Sequence, residues 1–195
     1  FITSRKAQKK VLELLKEKAN AADYAQYAEL CVIAASGYVS SEAANAIDKA
    51  ISLNSDNSAA NFYLSLLLLQ KNKRTNALKI WVKLLKNEPP SSKWIIMLIP
   101  KIQYVSSLLE KESRKADKPN PNHLNSRLMF LQVLETMETR LNRYNGSIEN
   151  WIYLVQSYQN LKFSKKAKIN IEKIKSQFLL SNSQIEELKN SLELK

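Results

Sequence analysis

Glycine is nearly absent from this chain, with two in 195 residues, and proline is sparse at five. Sheet proteins built on many tight turns need both, glycine for positive φ and proline for a preset φ. Helices joined by short polar turns are the architecture that remains. A single cysteine, Cys31, excludes an internal disulfide and a thiolate metal cluster, and a single histidine, His123, excludes multi-histidine metal sites and any triad that needs a second imidazole. Long apolar runs are missing too. Residues 66–69 and 94–99 fall far short of the roughly 20 that span a bilayer, and no signal-peptide core is present. The sequence also lacks paired carboxylates, a Gly-rich phosphate loop and a nucleophile with its base, so neither a catalytic site nor a cofactor nor a metal is expected.

What is present points to a packed helical protein. Hydrophobic residues make up 45% of the chain, enough for a core. The formal net charge of +12 attracts acidic partners of any kind, nucleic acid, lipid headgroup or protein face, without choosing among them. The chain opens at Phe1 instead of Met, which reads as a processed or cut portion of something longer.

The main signal is an internal repeat. Ala43, Ile47 and Ala50 recur as Ala77, Trp81 and Leu84 and again as Ala167, Ile171 and Ile174, each set spaced by four and then three residues, one face of a helix. Ala43 and Ala77 lie 34 residues apart, the length of a tetratricopeptide repeat. Each of these helices follows another amphipathic run, clearest in Trp151, Leu154, Val155 and Tyr158 before Ala167. Pro89 closes the middle repeat, while Ser55 stands in its place in the first. The pattern predicts an all-α, tetratricopeptide-repeat-like helical solenoid forming one domain over 1–195. It divides into an N-terminal helix (1–23), two repeats (24–91), an irregular helical insert (92–147) with an exposed loop at 114–123, a third repeat (148–181) and a C-terminal capping helix (182–195). Pro100 is expected to bend or interrupt the first helix of the insert. Trp81, Trp151, Tyr158 and Cys31 are expected in the core, and His123 on the surface.

Several blocks also resemble a known family. Val39, Glu42 and Ala43, then Phe62, Tyr63, Leu64 and Gln70, then Trp81, Leu84, Leu85, Pro89 and Trp94 are similar to the periplasmic region of bacterial cytochrome c biogenesis proteins of the CcmI (CycH) type. A second block, Met137, Glu138, Arg140 and Leu141 followed by Trp151, Leu154, Val155, Ser157, Tyr158 and Leu161, resembles the same family. Asn72 and Lys162 depart from the repeat pattern by standing where the turn usually carries glycine.

The resemblance implies a non-catalytic apocytochrome c chaperone on the periplasmic side of the bacterial inner membrane, anchored by membrane helices that this chain lacks. Its partners would be the C-terminal helix of apocytochrome c, held in the repeat groove, and other subunits of the maturation and haem-ligation machinery. By analogy with repeat geometry, the first helix of each pair lines the concave side. That places Phe62, Leu66 and Gln70 there from the middle repeat, and Ile152, Gln156, Gln159 and Asn160 from the third. The alternatives are a peptide-binding adaptor of some other cell-envelope complex and, less favoured, a basic nucleic-acid-binding helical protein. No recognised nucleic-acid module accompanies the clusters at Arg5, Lys6, Lys9 and Lys10 or at Lys162, Lys165, Lys166 and Lys168, so nucleic acid is not expected as a partner.

Overall fold

The computed structural model describes residues 2–89, 91–115, 121–181 and 183. Nine α-helices and one short 3-10 turn account for most of these residues, and no strand occurs among them. The chain packs as two compact units, Phe1–Glu88 and Pro89–Lys195. The first holds α1 (Ile2–Leu15), α2 (Ala21–Ala34), α3 (Ser41–Leu53), α4 (Ser58–Gln70) and α5 (Arg74–Asn87). The second holds α6 (Lys93–Lys115), α7 (Pro121–Arg143), α8 (Ile148–Asn160) and α9 (Ser164–Phe178). The expected C-terminal capping helix and the centre of the loop at 114–123 lie outside the described residues.

Short polar side chains set where the early helices begin. Asn20 accepts hydrogen bonds from the backbone N–H groups of Ala22 and Asp23, while the Asp23 carboxylate accepts from the Asn20 N–H, a complete capping box. α2 therefore starts at Ala21, before the boundary expected at 23/24. Ser40 and Asn57 cap α3 and α4 through the N–H groups of Ala43 and Ala60.

The turns inside two helix pairs match angle for angle. Lys71, Asn72 and Lys73 end α4 with φ of −85°, 56° and −87°, and Leu161, Lys162 and Phe163 end α8 with −85°, 60° and −88°. In each, the residue after the left-handed position donates to a carbonyl five back (Lys73 to Leu68, Phe163 to Tyr158), and the left-handed residue donates to the carbonyl three back (Asn72 to Leu69, Lys162 to Gln159). This double bond pattern satisfies carbonyls that a helix end otherwise leaves open. The positions where glycine is usual are thus left-handed here as well, occupied by residues that tolerate the conformation less well.

In unit 1, α2 packs on α3, α4 on α5, α4 on both α2 and α3, and α1 on α2. Ala25, Ala50 and Ala60, all at most 1% exposed, meet where α2, α3 and α4 converge, with Tyr24 and Ile51 against them. Small side chains there let the backbones close up, and the larger Ile47, Phe62 and Trp81 are also fully buried in this unit.

In unit 2, α8 packs on α9 and on both α6 and α7. The two long helices therefore stand to α8 as α2 and α3 stand to α4. The segment expected as an irregular insert supplies a neighbouring helix pair, even though it lacks the alanine spacing. α6 and α7 also run further than expected: Arg114 and Lys115 are still in α6, and Pro121, suited to a first helical turn, opens α7. α6 continues unbroken through Pro100. The proline is exposed, so the hydrogen bond it removes is lost on the solvent side, where water substitutes. Trp81, Trp151 and Tyr158 are fully buried and Cys31 is 2% exposed, as their one-sided spacing predicted.

Candidate peptide-binding surface

The seven groove candidates divide between the units. Phe62, Leu66 and Gln70 project from α4, and Ile152, Gln156, Gln159 and Asn160 from α8. Phe62 offers no surface to a guest: it is 0% exposed and sits edge-on against Tyr63, ring centroids 5.3 Å apart. It lies in the core because α4 is enclosed by α2, α3 and α5 and so carries apolar residues nearly all round. Leu66 is half-buried and Gln70 exposed.

Gln70 has a structural task. Its Oε1 accepts from the Val39 N–H at 3.0 Å and its Nε2 donates to the Val39 carbonyl at 3.1 Å. The amide thus clamps both backbone groups of a residue in the six-residue turn between α2 and α3. That turn is twice as long as the one between α4 and α5, and needs the extra hold.

The four α8 candidates are all half-buried, and two of them meet α6. Gln103 donates to Gln156 at 3.3 Å, and Asn160 donates to the Ser106 hydroxyl at 3.1 Å. These polar pairs fix the register of α6 against α8. Ile152 and Gln159 lie one turn away on the same helix face. Sequence reasoning missed the α6 side of this surface, where Ile96 is 64% exposed, Tyr104 58% and Met97 36%. The signal was present as apolar residues every fourth position in 96–104.

Two carboxylates organise the electrostatics, one in each unit. Glu42 on α3 accepts the Tyr27 hydroxyl of α2 and pairs with Arg5 at 3.7 Å and Lys9 at 3.4 Å on α1, joining three helices. The Tyr27 hydrogen bond is the largest influence on its acidity and, with both cations, outweighs partial burial, so the carboxyl sits below the ordinary carboxylate range. Glu138 on α7 accepts from Tyr158 of α8 at 3.1 Å and from Lys173 of α9 at 2.6 Å. Burial opposes ionisation there, but Lys173 and the hydrogen bonds from Asn170 and Tyr158 prevail, and Glu138 too is held below its usual value. Both tyrosines are pushed above their ordinary range, first by burial and then by the adjacent carboxylate.

Among the described residues no group of His, Cys, Asp and Glu is placed to hold a metal ion, and no helix is long and apolar enough to cross a membrane. Cys31 is buried, and burial raises its thiol pKa, which makes it a poor nucleophile. His123 lies with its ring nitrogen 3.3 Å from the Leu109 carbonyl and 3.9 Å from Glu112.

No protein-family model matches the chain, and no solved structure matches it. Two curated proteins do. The cytochrome c-type biogenesis protein CycH of Rhizobium meliloti is 29% identical over 73% of this chain and 40% of its own length. The CycH protein of Bradyrhizobium diazoefficiens is 29% identical over 64% of this chain and 35% of its own length. The chain is similar to these two CycH proteins.

It spans about two fifths or less of the CycH relatives it matches. Most of the residues that carried the CycH resemblance have architectural tasks. Glu42 and Glu138 are the helix-joining carboxylates, Gln70 is the clamp on Val39, and Trp81 donates its indole N–H to Ser65 at 2.8 Å with both residues fully buried. Arg140, 8% exposed, donates to the Pro89 carbonyl at 2.6 Å and lies over the Tyr144 ring at 5.3 Å.

Proposed function

We propose that the chain serves cytochrome c-type biogenesis as a non-catalytic helix-binding module, and that its guest is the C-terminal helix of an apocytochrome c. The observation that carries this reading is the similarity to two CycH proteins over most of the chain. The surface is physically suited to the task. An amphipathic guest helix needs apolar anchors and a few polar groups on a rigid support. α8 presents Ile152 beside Gln156 and Gln159, braced by α6 and α7. In unit 1, taken by itself, Leu66 on α4 is the candidate that remains, since the Gln70 amide is engaged with Val39. In this reading the module works on the periplasmic side of the inner membrane, beside the subunits that ligate haem, and the full-length protein supplies the membrane anchor.

The test is titration with a peptide of the C-terminal helix of a c-type cytochrome from the same organism, followed by calorimetry and tryptophan fluorescence. A variant of the peptide with a central proline serves as control. Saturable binding that the proline variant loses is expected, because proline costs about 3 kcal/mol inside a helix. Absence of binding to the folded protein refutes the apocytochrome guest and returns the module to a peptide adaptor with another partner.

A further inference from the structure

α6 carries apolar surface that stays exposed. Ile96, Pro100 and Tyr104 follow one another at four-residue intervals on one side of the helix, with Met97 beside them. The opposite side holds Leu98, Ile102, Val105 and Leu109, each at most 2% exposed, and forms the core of unit 2. Isolated exposed apolar residues are ordinary on a protein surface, but a contiguous strip marks a place where something docks.

Basic residues frame the strip. Lys101 is exposed beside it, and Lys93 and Lys111 are exposed in line with it beyond its two ends, with Lys93 also over the Trp94 ring at 4.4 Å. The carboxylates at the far end of α6 are already engaged, Glu110 with Arg114 and Glu112 beside His123. Pro100 has no N–H, so the Ile96 carbonyl receives no bond from the residue four ahead. From Ile96 to Tyr104 the strip runs about 12 Å at 1.5 Å per residue, a little over two helical turns, and Lys111 lies two turns beyond it.

We infer that this face of α6 is the apolar ledge on which a guest helix lies, and that the guest is an amphipathic helix whose apolar stripe is bordered by carboxylates. The inference rests on the helix-binding reading above and adds the ledge and the charge of the guest. Gln103, whose amide meets Gln156, places the ledge next to the α8 candidates. The two helices thereby offer one continuous surface, apolar along α6 and polar along the seam. Lysines alone would suit any polyanion; the apolar strip between them suits a helix with a hydrophobic side.

The test uses the full chain and two designed amphipathic peptides of about 18 residues, five helical turns. They share an apolar stripe at i, i+4 spacing and differ only in whether Glu or Lys borders it. The Glu-bordered peptide is expected to bind at least about ten-fold more tightly than the Lys-bordered one, a difference of about 1.4 kcal/mol. The double variant Ile96→Asp, Tyr104→Ser should lose at least that much affinity with an unchanged melting temperature, since both sites are exposed. Lys101→Glu should weaken the Glu-bordered peptide and strengthen the Lys-bordered one, a reversal that misfolding cannot produce. Equal binding of both peptides, unaltered binding by the variants, or equal displacement by single-stranded DNA overturns the ledge. If the apocytochrome peptide still binds in those cases, the proposed function stands without it. If the apocytochrome peptide also fails, both fall.

Discussion

Replacing Ser65 by Ala removes the acceptor of the Trp81 indole N–H in a place that water does not reach. Both residues are 0% exposed, and the N–H to hydroxyl distance is 2.8 Å. A buried donor left without a partner costs about 1–3 kcal/mol. Alanine returns up to about 0.5 kcal/mol through its higher helix propensity, so the net loss should be about 1–2 kcal/mol. The hydroxyl's other bond, to the Phe62 carbonyl at 2.6 Å, is expendable because it is a local bond within the same helix. Trp81→Phe removes the donor and part of a fully buried ring, costing about 1–3 kcal/mol for the cavity. With no indole N–H to satisfy, Ser65→Ala should then cost almost nothing. The double-mutant cycle is therefore expected to show a coupling of about 1–2 kcal/mol. Urea unfolding gives the energies, and the Trp81 indole N–H resonance, followed for hydrogen exchange, reports on unit 1 directly. Near-zero cost for Ser65→Ala, or equal cost in both backgrounds, would refute the reasoning that Ser65 satisfies an otherwise unpartnered buried N–H.

Three further outcomes follow from the same structure. Glu138 has a depressed pKa in the folded protein, so the stability it lends is present above its ordinary pKa of about 4.3 and is lost as pH falls through the folded value. Glu138→Gln should lower stability at neutral pH and flatten the decline below pH about 4; urea midpoints measured across that range check both. Lys162→Gly relieves a left-handed residue at φ 60° and should stabilise by about 0.5–1 kcal/mol, with Asn72→Gly gaining less because asparagine tolerates that region better. Thermal melts of the two variants rank them. Gly146→Ala places a Cβ 2.3 Å from Leu141 Cδ2 and 3.1 Å from its Cβ. Leu141 is 6% exposed and has little room to retreat, so a loss of about 1–3 kcal/mol is expected, read from the unfolding midpoint.

The sequence by itself determined most of the helices and of the core. Ala43, Ala77 and Ala167 at repeat spacing mark where helices approach closely, and a 3.6-residue period is a local property that needs no knowledge of distant contacts. It also located the turns, because Asn72 and Lys162 stand at the left-handed positions whether or not glycine occupies them. The tertiary structure decided which polar residues are spent on architecture and which face outward. Phe62 and Leu66 lie one turn apart on α4, yet the first is enclosed and the second half-exposed, because burial depends on the helices stacked against both sides. Gln70 could be read as a groove residue until Val39, 31 positions earlier, came within hydrogen-bonding distance of it. The long α6 and α7 show no repeat spacing, and only packing reveals that α8 rests on them as α4 rests on α2 and α3. Periodicity is written in neighbouring residues, whereas exposure is set by partners remote in the chain, and that is why the helical fold was legible and the exposure of the groove candidates was not.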